Sequence, residues 1–260
     1  AILTMGRAIS TLIAFVMMIF VIRFLGEELY GLYKLVLVPI SMAMLFCGLG
    51  IPPALTKYVA LFKARNRFYE LRKVIVSGFL FACFIGLALT IIMYIFADFI
   101  AAFYQKPEVS SLIKIASLVL FLIAIYNASW NVFLGFEDTK YNAAMLIINS
   151  IIKGSFAIVL VLLGYGVLGA ILGYLAGFFA STVLGIVFII RKIKVIGHKS
   201  ITVDSLDMNS NFSWKRSLSL LLKFGLPLAV VNIISGFGRQ LYSFLAGRYC
   251  SERDFGNYGA

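Results

Sequence analysis

The sequence predicts an all-α membrane protein with about seven transmembrane helices, six forming an N-terminal bundle and the seventh beginning a second bundle. Hydrophobic residues make up 62% of the chain and charged residues 13%, against roughly 45–50% and 25% in soluble domains. The mean hydropathy is +1.01. Seven apolar segments each approach the ~20 helical residues that cross the hydrocarbon core. They lie at 8–25, 30–56, 76–102, 111–135, 141–163, 166–190 and 218–246.

The first apolar segment is predicted to be a retained helix and not a signal peptide. Its apolar run is longer than that of a signal peptide. The acidic stretch 26–28 follows it, where a cleavage site would need small residues. All seven segments are therefore counted as helices of the mature protein.

The distribution of basic residues predicts the orientation of the chain. A net charge of +12 would also suit a nucleic-acid-binding protein, but lysine and arginine concentrate in the connections at 57–73 and 191–216. The alternate connections around 27–28, 106–108 and 164–166 carry no basic excess. By the positive-inside rule, the basic connections and the N-terminus are cytoplasmic. We therefore expect a multi-pass protein of the cell membrane whose partner is the lipid bilayer and not nucleic acid.

One extended polar stretch divides the chain. Residues 191–217 are predicted to be a cytoplasmic linker between the bundle at 1–190 and the first helix of a second bundle at 218–260. Trp214 precedes two basic residues, which suits either a short amphipathic segment at the inner headgroup level or an ordinary loop.

A sequence pattern of the form R-Φ-x-x-E-x-x-Φ-G-x-Y, where Φ is hydrophobic, occurs twice, from Arg23 to Tyr33 and from Arg248 to Tyr258. The second copy follows the first after six spans and the linker. The seventh helix is therefore expected to correspond to the first helix and to begin a second, repeated bundle. Such repeats are typical of transporters with a site between two bundles. The chain begins at Ala1 instead of Met and stops at Ala260, where an eighth helix should start. We therefore expect it to be the N-terminal part of a longer transporter.

Two cations, Lys153 and Arg239, lie deep in the predicted spans. A charge near the bilayer centre costs at least about 2.5–3.5 kcal/mol on the insertion scale, so such residues usually face the bundle interior and serve the function. Asn149 lies one turn from Lys153, and Asn232 and Ser235 share a helical face with Arg239.

The repeat extends this polar face to the first helix. It aligns Arg7 with Asn232 and Ser10 with Ser235, so the first and seventh helices are expected to face each other across the axis. Arg7 could also extend to the inner headgroups. The predicted cavity residues are Arg7, Asn149, Lys153, Asn232, Ser235 and Arg239.

A cavity lined by cations should attract an anion, of which phosphate and pyrophosphate are the obvious biological examples. The acid nearest to a span is Asp98, for which pairing with Lys106 is expected. Drug antiport usually needs a buried acid, so this composition disfavours it. Lys34 and Lys114 are closer to the outer surface and are expected to extend toward the headgroups.

Small and cyclic residues mark predicted packing sites. A stripe of small residues with a stride of four predicts close packing of the sixth helix against a neighbour. Its members are Gly169, Gly173, Gly177, Ser181 and Gly185. Prolines at 39, 52, 53 and 227 are expected to interrupt the second and seventh spans.

Catalytic constellations are absent from the sequence. His198 is the one histidine, and neither a P-loop nor HExxH occurs. The three cysteines have no spacing typical of a metal site or a disulfide framework. We therefore expect no enzyme activity, no cofactor and no metal.

Three segments resemble the multidrug/oligosaccharidyl-lipid/polysaccharide (MOP) flippase superfamily, in particular its polysaccharide-transporter or O-antigen flippase branch. They are RFLGEELYGLY at 23–33, GLGIPPALTKYVA at 48–60 and FGLPL at 224–228. The resemblance implies 12 to 14 spans in two bundles. It also implies translocation of an undecaprenyl- or dolichyl-linked oligosaccharide to the outer leaflet by alternating access, without covalent chemistry.

Two alternatives to a flippase remain. One is a multidrug or toxin exporter of the same superfamily, which would be distinguished by drug resistance and by a buried acid. The other is a polytopic membrane enzyme such as an O-antigen polymerase, which would need a long outer or cytoplasmic loop that carries acids or arginines.

Overall fold

The computed structural model describes residues 2–200 and 214–249, and in these ranges the chain is helical apart from short turns. This confirms the predicted all-α class. The elements are α1 (Ile2–Met44), α2 (Ile51–Ala64), α3 (Phe68–Tyr104), α4 (Glu108–Gly135), α5 (Thr139–Leu160), a π-helical turn (Val161–Tyr165), α6 (Gly166–Ser200) and α7 (Trp214–Tyr249). Five helical stretches in the described residues are long and apolar enough to cross a membrane, which makes this a multi-pass membrane protein.

Two of these five stretches contain a backbone break. A straight helix of the length of α1 would extend about 65 Å, more than twice the ~30 Å hydrocarbon core. Gly26 interrupts it with φ 77° and ψ 168°, a conformation that a side chain would disfavour. The break leaves two halves, 2–25 and 27–44. The α5–α6 stretch is interrupted in the same way at Gly164 and Gly166, where φ is 90° and 51°.

The predicted second span, 30–56, is wrong at its C-terminal end. Its helix stops at Met44, and a separate helix, α2, begins at Ile51. Gly50 caps α2 in the left-handed region with φ 74°. Pro52 and Pro53 therefore lie in the first turn of a helix, where a missing N–H removes no intrahelical hydrogen bond. The proline pair starts a helix and does not interrupt a span.

The core consists of two hydrophobic clusters, one toward each end of the bundle. One cluster contains Leu25, Tyr104 and Val161, which lie next to the breaks and turns that carry no basic excess. The other contains Leu55 and Phe136, which lie near the basic connections. Successive connections thus alternate between the two ends, as an up-and-down arrangement of helices requires.

The small-residue stripe of α6 packs directly against α5, as predicted. A Cβ on Gly173 would lie 2.6 Å from the backbone nitrogen of Ala157, so only glycine allows this approach. The Ser181 hydroxyl donates to the carbonyl oxygen of Met145 at 3.1 Å. The stripe therefore fixes the rotation of α5 relative to α6.

Helix α7 packs along α2, α3 and the second half of α1. Gly225 lies against Gly50, backbone to backbone, and the ring of Phe224 lies 3.8 Å from the Lys57 ammonium. Toward its C-terminus, the Phe244 ring stacks on Phe103 with centroids 5.2 Å apart. Two of the three segments that carry the family resemblance therefore touch each other at the Gly50–Gly225 contact.

Candidate functional site

A cavity of about 410 Å³ lies inside the bundle, between the two halves of α1, α5 and the start of α6. Its lining extends from Thr11 to Leu37 on α1. A straight helix would separate these two residues by about 39 Å. Because both face one small cavity, the chain must fold back at Gly26. The left-handed backbone of this glycine therefore assembles the site.

Two of the six predicted site residues line this cavity together. Asn149 and Lys153 lie one turn apart on α5 and contribute to the same wall. The Lys153 ammonium lies 4.6 Å from the ring centroid of Tyr174, within the range of a cation–π interaction. The Asn149 side-chain nitrogen is buried and has no hydrogen-bond partner among the residues that the structure describes.

The glycine stripe on α6 supports these two residues from behind. A Cβ on Gly177 would lie 2.7 Å from the Cβ of Lys153 and 2.9 Å from the carbonyl oxygen of Asn149. The backbone of α6 therefore occupies the space next to the polar turn of α5. This close approach brings Tyr174, one turn earlier on α6, next to the ammonium group.

Lys34 also lines the cavity, although it was not among the site residues predicted from the sequence. Its ammonium lies 5.3 Å from the ring centroid of Tyr30, one turn closer to Gly26. The side chain thus lies along the cavity wall, beside Tyr30. A two-helix hairpin at Gly26 was predictable, whereas the rotation that turns Lys34 toward Lys153 depends on packing.

The remaining predicted site residues lie elsewhere. Arg7 is exposed on the first half of α1 and does not line the cavity. Asn232 and Ser235 are exposed on α7, where the Ser235 hydroxyl donates to the Asn232 carbonyl oxygen at 3.1 Å. The side chain of Arg239 lies outside the described part of the structure. The structure therefore does not bring Arg7, Asn232 or Ser235 to the cavity of Lys153.

The prediction that the first helix faces the seventh through Ser10 is wrong. The hydroxyls of Ser10 and Ser150 lie 2.7 Å apart, so this face of α1 is bonded to α5. Contacts of α1 with α7 come from its second half, where the Ser41 hydroxyl donates to the Gln240 side chain at 2.8 Å. The N-terminal helix is thus part of the wall that encloses the cavity.

The acid nearest to the spans pairs away from the cavity. The Asp98 carboxylate accepts hydrogen bonds from Lys114 at 2.9 Å and from the Ser110 hydroxyl. Pairing with Lys106 was expected from the sequence, and the geometry instead selects Lys114 on the adjacent helix α4. Among the residues that line the cavity, the described structure contains two lysines and no aspartate or glutamate.

The family model of the "Polysaccharide biosynthesis protein" family matches residues 1–260 of this chain. Stage V sporulation protein B of Bacillus subtilis (strain 168) is 25% identical over 234 residues, which cover 87% of this chain and 44% of that protein.

Solved structures with the same fold are transporters of the MOP superfamily. The inward-facing conformation of a multidrug resistance MATE family transporter has a TM-score of 0.72 at 14% identity, covering 97% of this chain and 56% of that one. A MOP superfamily transporter from Pyrococcus furiosus Vc1 (DSM3638) has a TM-score of 0.70 at 17% identity, covering 94% of this chain and 54% of that one. Its description states that the reverse polarity of its binding pocket suggests a different function.

The chain spans about half the length of the relatives it matches. The fold that the resemblance to the MOP superfamily implies is confirmed by these solved structures. With a family match over its whole length, this chain belongs to the polysaccharide biosynthesis protein family.

Proposed function

We propose that this chain is part of a flippase that moves a lipid-linked oligosaccharide precursor from the cytoplasmic to the outer leaflet of the cell membrane. The observation that carries the proposal is the cavity that presents Lys34, Asn149 and Lys153 without a lining carboxylate. Such a cavity suits the pyrophosphate of the lipid carrier, because charge-assisted hydrogen bonds to phosphate oxygens are strong. Family membership supports a role in polysaccharide synthesis.

The transport cycle that we propose is alternating access between two bundles. Residues 1–190 would supply six spans, 191–217 the linker and 218–260 the first helix of the second bundle. The glycine breaks in α1 and between α5 and α6 support a count of seven spans in this chain, because each divides one stretch into two of span length. The transport itself involves no covalent chemistry.

The four remaining predicted residues are assigned to the space between the bundles. Arg7, Asn232 and Ser235 are exposed in this chain, as residues that face a second bundle would be. Arg239 follows Ser235 by one turn on the same helix. We propose that together they extend the cationic path from the Lys153 cavity toward the second bundle.

The orientation that we propose has a cytoplasmic N-terminus. Six of the basic residues cluster in the connection that includes Arg67, whereas Glu108 lies at the opposite end of the bundle. Single cysteines at these two positions, in a background without native cysteines, should label from opposite sides. A membrane-impermeant thiol reagent should reach Glu108→Cys in intact cells and Arg67→Cys only after lysis. Labelling of Arg67→Cys in intact cells would reverse the orientation.

A multidrug exporter is the second candidate, because a multidrug resistance transporter shares the fold. The charge of the cavity argues against it, since organic cations would be repelled by two lysines. The Pyrococcus furiosus protein, described as having a pocket of reverse polarity, illustrates that the fold is not tied to one pocket charge.

Deletion of the gene followed by complementation separates the two candidates. A deletion strain should lose surface polysaccharide and accumulate the lipid-linked precursor in the inner leaflet, and the full-length protein should restore export. The drug sensitivity of the strain should stay unchanged. Normal surface polysaccharide together with increased sensitivity to cationic drugs would refute the flippase assignment and favour the exporter.

A further inference from the structure

An unbroken row of aromatic rings leads from the Lys153 cavity to α4. The ring of Tyr174, 4.6 Å from the Lys153 ammonium, contacts Phe178 with centroids 5.1 Å apart. The Phe178 ring lies 5.5 Å from that of Tyr126, which stacks on Trp130 at 6.1 Å. All four side chains are half-buried. This aromatic row, which consists of Tyr174, Phe178, Tyr126 and Trp130, extends from the cavity toward the end of the bundle with the basic connections.

The α4 part of the aromatic row faces the inside of the bundle. Helix α4 contacts its other neighbours through different sides. The Asn131 side chain accepts a hydrogen bond from α2, the Leu122 carbonyl oxygen accepts one from α6, and α3 packs on the opposite side. Tyr126 and Trp130 lie one turn apart on the side that remains. There α5 adjoins α4, and Asn142 donates to the Trp130 carbonyl oxygen at 2.9 Å.

The first half of α1 continues the cavity wall in the same direction. Thr11, Ala14 and Met18 line the cavity, and Arg7 lies one turn before Thr11 on the same helical face. Arg7 is exposed. This face of α1 therefore leads from the cavity to an exposed end of the bundle, the end toward which the aromatic row extends.

Amide groups accompany the aromatic row. Asn127 follows Tyr126 and is half-buried, and its side chain makes no hydrogen bond to another residue that the structure describes. At the cavity end of the row, the buried side-chain nitrogen of Asn149 likewise has no partner within the described ranges. Packing of a core explains aromatic rings, but partly buried amides normally have hydrogen-bond partners.

We infer that the aromatic row binds the sugars of the cargo. One face of a pyranose ring carries C–H groups that pack on an aromatic ring, while its hydroxyls donate to and accept from amides such as Asn127. An isoprenoid chain would also pack against the rings, but it would leave the amide without a partner. The combination of rings and amides therefore favours carbohydrate.

The position of the row matches the order of groups in a lipid-linked oligosaccharide, and to this extent the inference rests on the proposed function. The cavity of about 410 Å³ has room for a pyrophosphate but not for an oligosaccharide as well, so the sugars need a second surface. The aromatic row begins at Tyr174, next to the Lys153 ammonium. A pyrophosphate at Lys153 would thus place the first sugar at the start of the row.

Binding can be measured on the full-length protein in detergent by thermal unfolding at constant ionic strength, because a ligand of the native state raises the melting temperature according to its affinity. The probes are a short-chain isoprenoid diphosphate, the same diphosphate carrying chitobiose, and chitobiose alone. The variants are Trp130→Ala and Trp130→Phe. Phe99→Ala is the matched control, because Phe99 is an aromatic residue of α3 that is 69% exposed on the bundle surface.

We expect the wild type to bind the glycosylated diphosphate roughly twofold to tenfold more tightly than the bare one, the usual contribution of an aromatic contact. Trp130→Ala should lose this difference and bind the bare diphosphate like the wild type. Trp130→Phe, which keeps an aromatic ring, and Phe99→Ala should retain the difference. If Trp130→Ala does not fold, Asn127→Ala carries the test and should reduce the same difference.

Equal affinity of the wild type for the two diphosphates would overturn the sugar site. Equal weakening of both diphosphates by Trp130→Ala would overturn it too, since it would show a structural role for Trp130. If neither diphosphate binds but chitobiose stabilises the wild type and not Trp130→Ala, the row binds sugars and the proposed flippase function is refuted. If none of the three probes binds, both are refuted.

Discussion

Replacement of Lys153 by alanine in the full-length protein is expected to abolish surface polysaccharide while leaving the amount of protein in the membrane unchanged. The substitution removes one of two cations from the cavity and leaves the rest of its lining intact. Loss of one charge-assisted hydrogen bond costs about 1.5–3 kcal/mol, or roughly 10- to 100-fold in affinity. Immunoblotting of polysaccharide and of the tagged protein measures both quantities.

Three further variants make this prediction specific. Lys114→Ala removes a span lysine that is paired with Asp98 outside the cavity, so export should continue. Lys153→Arg keeps the charge and should retain part of the activity. Arg239→Ala should also abolish export if α7 contributes to the path. Normal export in both Lys153→Ala and Arg239→Ala would refute the assignment of a cationic path.

Replacement of Gly50 by alanine is expected to destabilise the protein by about 2–5 kcal/mol, from a left-handed backbone penalty and overpacking. Its φ of 74° disfavours any side chain. A Cβ at this position would also lie 1.7 Å from the carbonyl oxygen of Gly225, so α2 and α7 would have to separate. Thermal unfolding of the purified protein should show a lower midpoint, and its yield should fall.

Gly238→Ala is the matched control, because a Cβ added at this position of α7 would meet no other helix within 4 Å in the described part of the chain. Alanine is favoured over glycine in a helix by about 1 kcal/mol, so this variant should be neutral or slightly stabilising. Equal midpoints for Gly50→Ala and Gly238→Ala would mean that the contact between α2 and α7 contributes nothing to stability.

The helical class and the alternation of the connections follow from the sequence because they depend on local composition. An apolar run of about 20 residues has few alternatives to a membrane helix, since its backbone groups must be satisfied internally. The small residues at every fourth position of α6 similarly predict which face of that helix packs closely against a neighbour, although they do not identify the neighbour. The partner of that face proved to be α5.

The predicted C-terminal end of the second span, 30–56, was wrong because hydropathy carries no information on backbone conformation. Residues 45–50 are as apolar as the helices around them, yet Leu49 and Gly50 have positive φ. The proline pair was a signal that could have corrected the prediction, since proline is favoured in the first turn of a helix. A helix start at Ile51 was therefore readable in principle.

Half of the candidate site was accessible to sequence reasoning. Asn149 and Lys153 stand out because a buried lysine is costly and an asparagine lies one turn away on the same face. Lys34 did not, because its distance from the predicted loop allowed it to reach the headgroups. Whether a lysine two turns below the surface points outward or into a cavity depends on the rotation of its helix.

Composition, periodicity and motifs were enough to identify a multi-pass helical membrane protein of the polysaccharide biosynthesis protein family with cations in its helices, since these are local properties of the chain. Only the tertiary structure determines which of those cations line the same cavity. The break at Gly26 and the close approach of Gly177 to α5 place Lys34 and Lys153 around one cavity. Helix rotation and side-chain packing control that pairing, and they depend on contacts between different helices, such as that of Ser10 with Ser150.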